Sequence, residues 1–273
     1  MRFPARFLLL AAAALPLTPQ NAKVQFHPLP AEVIQQRLAA VPYQEGERRA
    51  LLESMFHEAG CDGDALTTLK VPHASPDLIC TLPGTEPDAG AIVVGGHYDH
   101  ASVGRGAVDD WSGAALLPSL YQSLKADGRR HRIVFIAFSA EETGLNGSAA
   151  YVRKLTKEER AEVRAMINLE CLGLAPPRVW ASRADKRLLS AYAAVAHAIG
   201  IDAAGMNVDQ VGDDDSRPFL NAKIPVLTIH SVTQETLRIL HSPGDQVAAI
   251  HPEDYFTTYK LAATYLAYLD DAL

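Results

Sequence analysis

Ala91-Ile92-Val93-Val94-Gly95-Gly96-His97-Tyr98-Asp99-His100 passes from strand to polar turn within ten residues. Ala91 to Gly96 is a continuous apolar run of the kind that fills a strand buried on both faces. It then breaks into imidazoles and a carboxylate. The same change recurs further on. Arg132 to Phe138 (Arg-Ile-Val-Phe-Ile-Ala-Phe) is a second buried run, followed by Glu141-Glu142, and Ala165 to Leu169 is a third, closing on Glu170. Asp109-Asp110 lie in a loop just before a helix at Ser112 to Leu124. In open α/β sheets, sites form outside the carboxyl ends of the strands, and these polar groups fall there.

Outward from these runs, strands and helices alternate. Glu45 to Ala59 is amphipathic, with Leu51, Leu52, Met55 and Phe56 at helical spacing and Gly60 as its stop. Leu78 to Leu82, Arg178 to Ala181 and Pro225 to Ile229 read as further strands. Pro28 to Val41 holds a short helix. Gly147 to Leu155, Thr156 to Val163, Lys186 to Ile199 and His251 to Leu273 read as helices, Thr156 and Glu159 forming a capping box. The alternation predicts an α/β fold, a largely parallel sheet covered by helices on both faces. No linker divides residues 23–273, so one domain is expected.

Composition narrows the function classes. Of 273 residues 48% are hydrophobic, enough for a substantial core. The net charge is -7, and no basic stripe of the kind nucleic-acid binders carry is present. Arg129-Arg130-His131-Arg132 reads as a solvated loop before a strand. At the N-terminus, Arg2 and Arg6 precede an apolar run from Phe7 to Leu17, too short to span a bilayer comfortably. Residues 1–22 therefore read as a secretory signal, cleaved between Ala14 and Ala22, with an uncleaved anchor as the alternative. The mature chain is expected to be periplasmic or secreted, without stable membrane association. Three cysteines leave at least one unpaired. Cys61 and Cys80 can pair if their segments lie side by side. Cys171 is expected to be buried and inert, facing away from Glu170 if both lie on a strand.

Two imidazoles and three carboxylates suit a pair of divalent metals, most plausibly zinc. In His97-x-Asp99 one ring nitrogen binds metal while the carboxylate orients the ring. Asp109 can offer one oxygen to each of two metals. Glu141 and Glu142 divide into a base and a ligand. Metal-assisted hydrolysis is the chemistry that follows.

Gly95-Gly96-His97-Tyr98-Asp99, Gly106-Ala107-Val108-Asp109-Asp110-Trp111-Ser112-Gly113, Ser139-Ala140-Glu141-Glu142-Thr143-Gly144 and His241-Ser242-Pro243-Gly244-Asp245 follow in that order. Together they resemble the family of secreted di-zinc aminopeptidases, which also holds glutamate carboxypeptidase-type enzymes and glutaminyl cyclases. The resemblance covers roughly residues 30–270. It implies a three-layer zinc-exopeptidase-like fold with a central, mostly parallel mixed sheet, two zinc ions and a peptide substrate. It implies His97 as a ligand of one zinc, Glu142 and His241 as ligands of the other, Asp109 as the bridge and Glu170 as a further metal ligand. Glu141 becomes the general base and Asp99 the partner of His97. Glu170 stands where the family usually has Asp, which puts the metal geometry in question. Trp111 stands where the family often has a small residue, and either narrows the pocket or packs beside it.

Asp213-Asp214-Asp215-Ser216-Arg217-Pro218-Phe219 resembles a substrate-side segment of that family, with Asp215 as its candidate; an acidic helix start is the plainer reading. His230 and His100 can reach the pocket, although a satisfied structural role is commoner for a lone histidine. Tyr98 reads as core and His251 as the start of the final helix. The leading reading is an aminopeptidase. Two others stand beside it: a glutaminyl-peptide cyclotransferase, typically with one zinc, and a non-catalytic binding domain on a peptidase scaffold.

Overall fold

In the computed structural model, which describes residues 24–202, 204–209 and 212–273, the three apolar runs lie side by side. The predicted signal, residues 1–22, lies outside the described residues. Strands β1 (Leu66–Leu69), β2 (Asp77–Leu82), β3 (Ala91–His97), β4 (Arg132–Phe138), β5 (Val163–Glu170), β6 (Arg178–Val179), β7 (Ala204–Gly205) and β8 (Val226–His230) form one eight-stranded sheet. Its order is β1-β2-β4-β3-β5-β8-β6-β7. The central strands β4, β3, β5 and β8 are parallel, whereas β2 runs antiparallel to β4 and β6 antiparallel to β8.

Alternation along the central strands divides the core. Ile92 and Val94 of β3, with Ile133, Phe135 and Ala137 of β4, face one layer; Val93, Val134, Ile136 and Phe138 face the other. The first layer holds α1 (Ala31–Ala39), α2 (Glu45–Glu58), α4 (Leu116–Leu124), α7 (Lys186–Ala198) and α9 (Pro252–Ala272). The second is covered by α5 (Asn146–Lys154) and α8 (Ser216–Asn221), which supply Val152 and Phe219. Because both faces are covered, the strands read as apolar runs rather than as alternating ones. No helix among the described residues is long and apolar enough to cross a membrane.

Several boundaries differ from expectation, each for a local reason. The helix predicted from Ser112 is broken into α3 (Ser112–Ala114) and α4. Pro118 has no N–H to donate to the Ala114 carbonyl, so the ladder is interrupted there. Thr156 does cap a helix through the expected box, but that helix, α6 (Lys157–Glu162), ends at Glu162. Val163 is already extended and opens β5. Strands β1 and β7 were not foreseen: β1 is half-exposed and four residues long, β7 only two.

Cys61, just past α2, is disulfide-bonded to Cys80 in β2, 19 residues on. The bond ties the first-layer helices to the edge of the sheet. Closing a loop of that length restricts the unfolded chain by about 3 kcal/mol. The paired C61S/C80S variant is expected to lose about that much stability, read as a fall in the urea midpoint; an unchanged midpoint would contradict the pairing.

Candidate metal centre

The parallel strands β3, β4 and β5 end together, so His97, the turn Ser139–Glu142 and Glu170 converge. The His97 imidazole is fully buried. Its Nδ1 lies 3.4 Å from Asp99 Oδ1. Its Nε2 lies 3.2 Å from Asp109 Oδ1, 3.6 Å from Glu170 Oε1 and 3.8 Å from Glu141 Oε2. On the other side of Asp109, its Oδ2 lies 3.1 Å from His241 Nε2, which is also 3.1 Å from Glu142 Oε2. Two groups of potential ligands result, His97–Asp109–Glu170 and Asp109–Glu142–His241, with the donor atoms of each within 4.8 Å of one another. Asp109 belongs to both. Glu170 reaches the first group with its longer side chain, and its other oxygen accepts a hydrogen bond from Asn168 Nδ2 at 3.1 Å.

Asp99 does more than orient a ring. Its two oxygens accept the backbone N–H groups of Glu141 and Glu142, both at 3.1 Å. It therefore locks the glutamate pair to the histidine. Burial opposes the charge on Asp99, but the His97 contact and these two N–H bonds outweigh it and hold the carboxyl below its usual value. Asp109 behaves likewise: burial works against it, and the two imidazoles pull it well down. Glu141 goes the other way. Burial, with Asp215, Glu170 and Asp109 nearby, pushes it up to about 10 despite His97. Burial and Asp109 raise Glu142 to about 7. The Asp109 contact lifts His241 to about 9. Carboxylates crowded this closely repel one another, and cations in their midst would relieve it.

Three residues that build the site have no role that the sequence assigns. Asp110, joined to Asp109 by a cis peptide, is fully buried and accepts the N–H groups of His97 at 3.2 Å, Gly113 at 3.1 Å and Cys171 at 2.9 Å. It thus ties the ends of β3 and β5 to the following helix. A Cβ on Gly113 would stand 2.5 Å from Asp110 Oδ2, so only glycine allows this approach. Asp245 accepts the N–H of Val108 at 2.7 Å and of Asp109 at 3.3 Å, fastening the His241 loop to the bridging carboxylate. Arg48, fully buried, donates to the carbonyls of Pro42, Tyr98, Arg105 and Gly106. That guanidinium holds both ends of the loop between Asp99 and Asp109. Burial lowers it to about 10, which leaves it charged at neutral pH. The only sequence signal for Asp110 and Asp245 was their place in quoted motifs; Arg48 had none.

A cavity of about 260 Å³ opens over these groups. Its walls include Trp180, Val208, Val232, Leu237 and Leu240. Trp180 is held by Asp209 Oδ1 at 3.1 Å and by the Arg183 guanidinium, 3.6 Å over its ring. His230 lines the cavity, but both ring nitrogens are used: Nδ1 accepts from Val232 N–H and Nε2 donates to the Met206 carbonyl. Burial pushes its pKa down to about 4, so it is a neutral wall residue. Asp215 does not reach the cavity, whose lining takes Asp213 and Asp214 instead. Asp215 is fully buried, and neither carboxylate oxygen has a hydrogen-bond partner among the described residues.

The structure removes Trp111 from the pocket. The ring is fully buried in the first core layer, its Nε1 donating to the Arg37 carbonyl at 3.2 Å and its face toward Arg48, 5.8 Å away. An apolar ring of that size gains more from the core than from a polar rim. His100 is also away from the cavity, between the Ala101 and Tyr43 carbonyls. Tyr98 is core, as expected, and His251 precedes α9. Cys171 is buried, but it does not face away from Glu170. Its φ of 51° ends the strand, and Sγ turns to within 3.4 Å of Glu170 Oε1. Burial and the neighbouring carboxylates raise the thiol's pKa, which keeps it protonated.

Asp77 carries a pH signature. It sits behind the Glu141 turn, accepting Ser139 N–H at 2.9 Å and Ser139 Oγ at 3.1 Å, and burial pushes it up to about 7. The folded pKa lies above the unfolded one, so the folded state binds the extra proton and stability falls as pH rises between them. Asp77→Asn removes that dependence. The variant is expected to match the wild type near pH 4 and to exceed it by up to about 4 kcal/mol above pH 7, measured by urea unfolding across that range. A constant gap would refute the assignment.

Comparison with known proteins bears on the family and the fold. Aminopeptidase YwaD of Bacillus subtilis is 29% identical over 171 residues, covering 59% of this chain and 37% of that protein. The structure of BSAP, a zinc aminopeptidase from Bacillus subtilis, superposes with a TM-score of 0.65 at 25% identity, over 70% of this chain and 49% of that one. The chain thus spans less than half the length of these relatives. An Acidobacteriales bacterium glutaminyl cyclase superposes with a TM-score of 0.73 at 20% identity, over 94% of this chain and 99% of that one. The model of Peptidase family M28 matches residues 77–266, well over half of the chain and all of the metal-centre residues, and the chain belongs to that family.

Proposed function

We propose that the protein is a di-zinc aminopeptidase that releases N-terminal residues from peptides. The observation that carries this reading is the pair of ligand groups sharing Asp109, with Glu141 beside them. The residues fit the metals: two imidazoles and three carboxylates converge, and the donor set is of the nitrogen and oxygen type that zinc takes. His97, Asp109 and Glu170 would hold one ion, and Asp109, Glu142 and His241 the other. When bound, such ions polarise a carbonyl and lower the pKa of water. Cations at the two groups would also favour the ionised form of Glu141, which crowding otherwise disfavours. Glu141 then takes the proton from the attacking water and delivers it to the leaving amine. Asp99 keeps His97 and the Glu141–Glu142 backbone in register during that transfer. The apolar wall from Trp180 to Leu240 suits an apolar side chain on the released residue. The apolar leader supports a periplasmic or secreted location.

A glutaminyl-peptide cyclotransferase is the second reading. It is suggested by the solved Acidobacteriales glutaminyl cyclase, which superposes over 94% of this chain with a TM-score of 0.73. The complete second ligand group stands against it. Metal content per chain, measured with hydrolysis of a panel of aminoacyl-arylamides and cyclisation of a glutaminyl peptide, separates the two. Two zinc ions and chelator-sensitive arylamide hydrolysis are expected. One zinc with cyclisation and no hydrolysis would replace the first reading by the second.

A further inference from the structure

The strands that deliver the metal ligands have another end, and it is built of opposite charge. A cleft of about 790 Å³ lies where Val163 begins β5 and Pro225 precedes β8, across the sheet from the metal centre. Arg130, Arg160, Arg164, Arg187 and Lys223 line it, against Glu86 and Asp88. A chain of net charge -7 has no compositional reason to gather five cations there.

Two of the five are neutralised. Arg130 Nε lies 3.1 Å from Glu86 Oε1, and Arg187 Nε 3.6 Å from Asp185 Oδ1. The other three are not. Arg164 spends its donors on main-chain carbonyls, those of Ala89 at 2.8 Å, Asp88 at 3.3 Å and Ala161 at 3.4 Å, which orient its fork without cancelling its charge. Arg160 and Lys223 have no carboxylate within 4.0 Å among the described residues. Moreover, Arg160 Nε is buried with no acceptor. An orphan donor of this kind is costly, but it is closed off from the cleft, so a ligand would meet the terminal nitrogens of the guanidinium instead.

We propose that this cleft is a binding site for a phosphate-bearing anion, separate from the metal centre. The chemistry selects phosphate over carboxylate. Guanidinium forks pair with phosphate through parallel N–H bonds. A phosphate group carries enough charge and oxygens for Arg160, Arg164 and Lys223 together, whereas one carboxylate satisfies a single fork. The group can come from a soluble phosphate ester or from an anionic lipid headgroup.

The test uses the intact zinc-loaded protein. Cyclic trimetaphosphate, a trianion that holds divalent metals weakly, is titrated by calorimetry. In parallel, the protein is sedimented with vesicles of phosphatidylglycerol and of phosphatidylcholine. The variant R160Q/K223Q removes two cations and leaves the main-chain bonds of Arg164 in place. Binding in either arm, weakened about thirtyfold by the double variant at about fivefold per cation, with arylamide hydrolysis unchanged, would establish the site. Trimetaphosphate alone would identify a soluble ligand, and phosphatidylglycerol vesicles alone a headgroup. No binding in either arm, or equal binding by wild type and R160Q/K223Q, would overturn it. Hydrolysis reports that the variant is folded, and K223Q alone, at an exposed position, repeats the test with the smaller loss.

Discussion

Glu141→Gln is expected to lower kcat/KM by about 10³- to 10⁴-fold, the range that general-base removal costs, while zinc content stays at two per chain. Gln fills the same volume and cannot accept the proton. Glu141 belongs to neither ligand group, so the metals should remain. A second consequence is specific to this site. Burial, with the crowding carboxylates, raises Glu141 to about 10, so the folded metal-free wild type keeps a proton that the unfolded chain gives up near the ordinary value of 4.5. The metal-free variant should therefore gain stability over the metal-free wild type as pH rises from about 4.5 to about 10, and hold that gain above it. Arylamide kinetics, metal analysis and unfolding of both forms test this together. Activity within tenfold of wild type would remove Glu141 from the base role.

Asp109→Asn is expected to act on both ions at once. Each oxygen of Asp109 faces a different imidazole, so the side chain is the one member common to both groups. Partners of metal ligands typically cost about 10- to 100-fold in affinity when lost, and a shared ligand should cost more at each ion. Metal content should fall below one per chain after dialysis, with hydrolysis reduced by more than about 10³-fold. His241→Ala touches the second group only and should leave one ion. Metal analysis of the two variants side by side decides the matter. If Asp109→Asn and His241→Ala lose the same single ion, Asp109 does not bridge.

Much of this was legible because the chemistry sits where hydrophobic periodicity stops. The runs ending at Gly96, Phe138 and Leu169 are apolar on both faces, and the first polar residues after them have nowhere to point but the site. His97, Glu141, Glu142 and Glu170 were readable for that reason. Asp109 and His241 were readable only through their motifs, because both lie in irregular chain. Trp111 stayed open between pocket and packing because its neighbours are site residues, and nothing local tells a ring which side of a turn it packs on. Cys171 was misjudged because its left-handed backbone conformation ends the strand one residue early.

The α/β class, the three core strands and the kinds of ligand at their ends follow from local period and side-chain chemistry. Strand order, the antiparallel edges, the Cys61–Cys80 pairing and the bracing by Arg48, Asp110 and Asp245 emerge from long-range packing. These depend on main-chain groups of residues far apart in the chain. A backbone N–H or carbonyl is the same at every residue, so its partner is chosen by packing rather than by any pattern of letters.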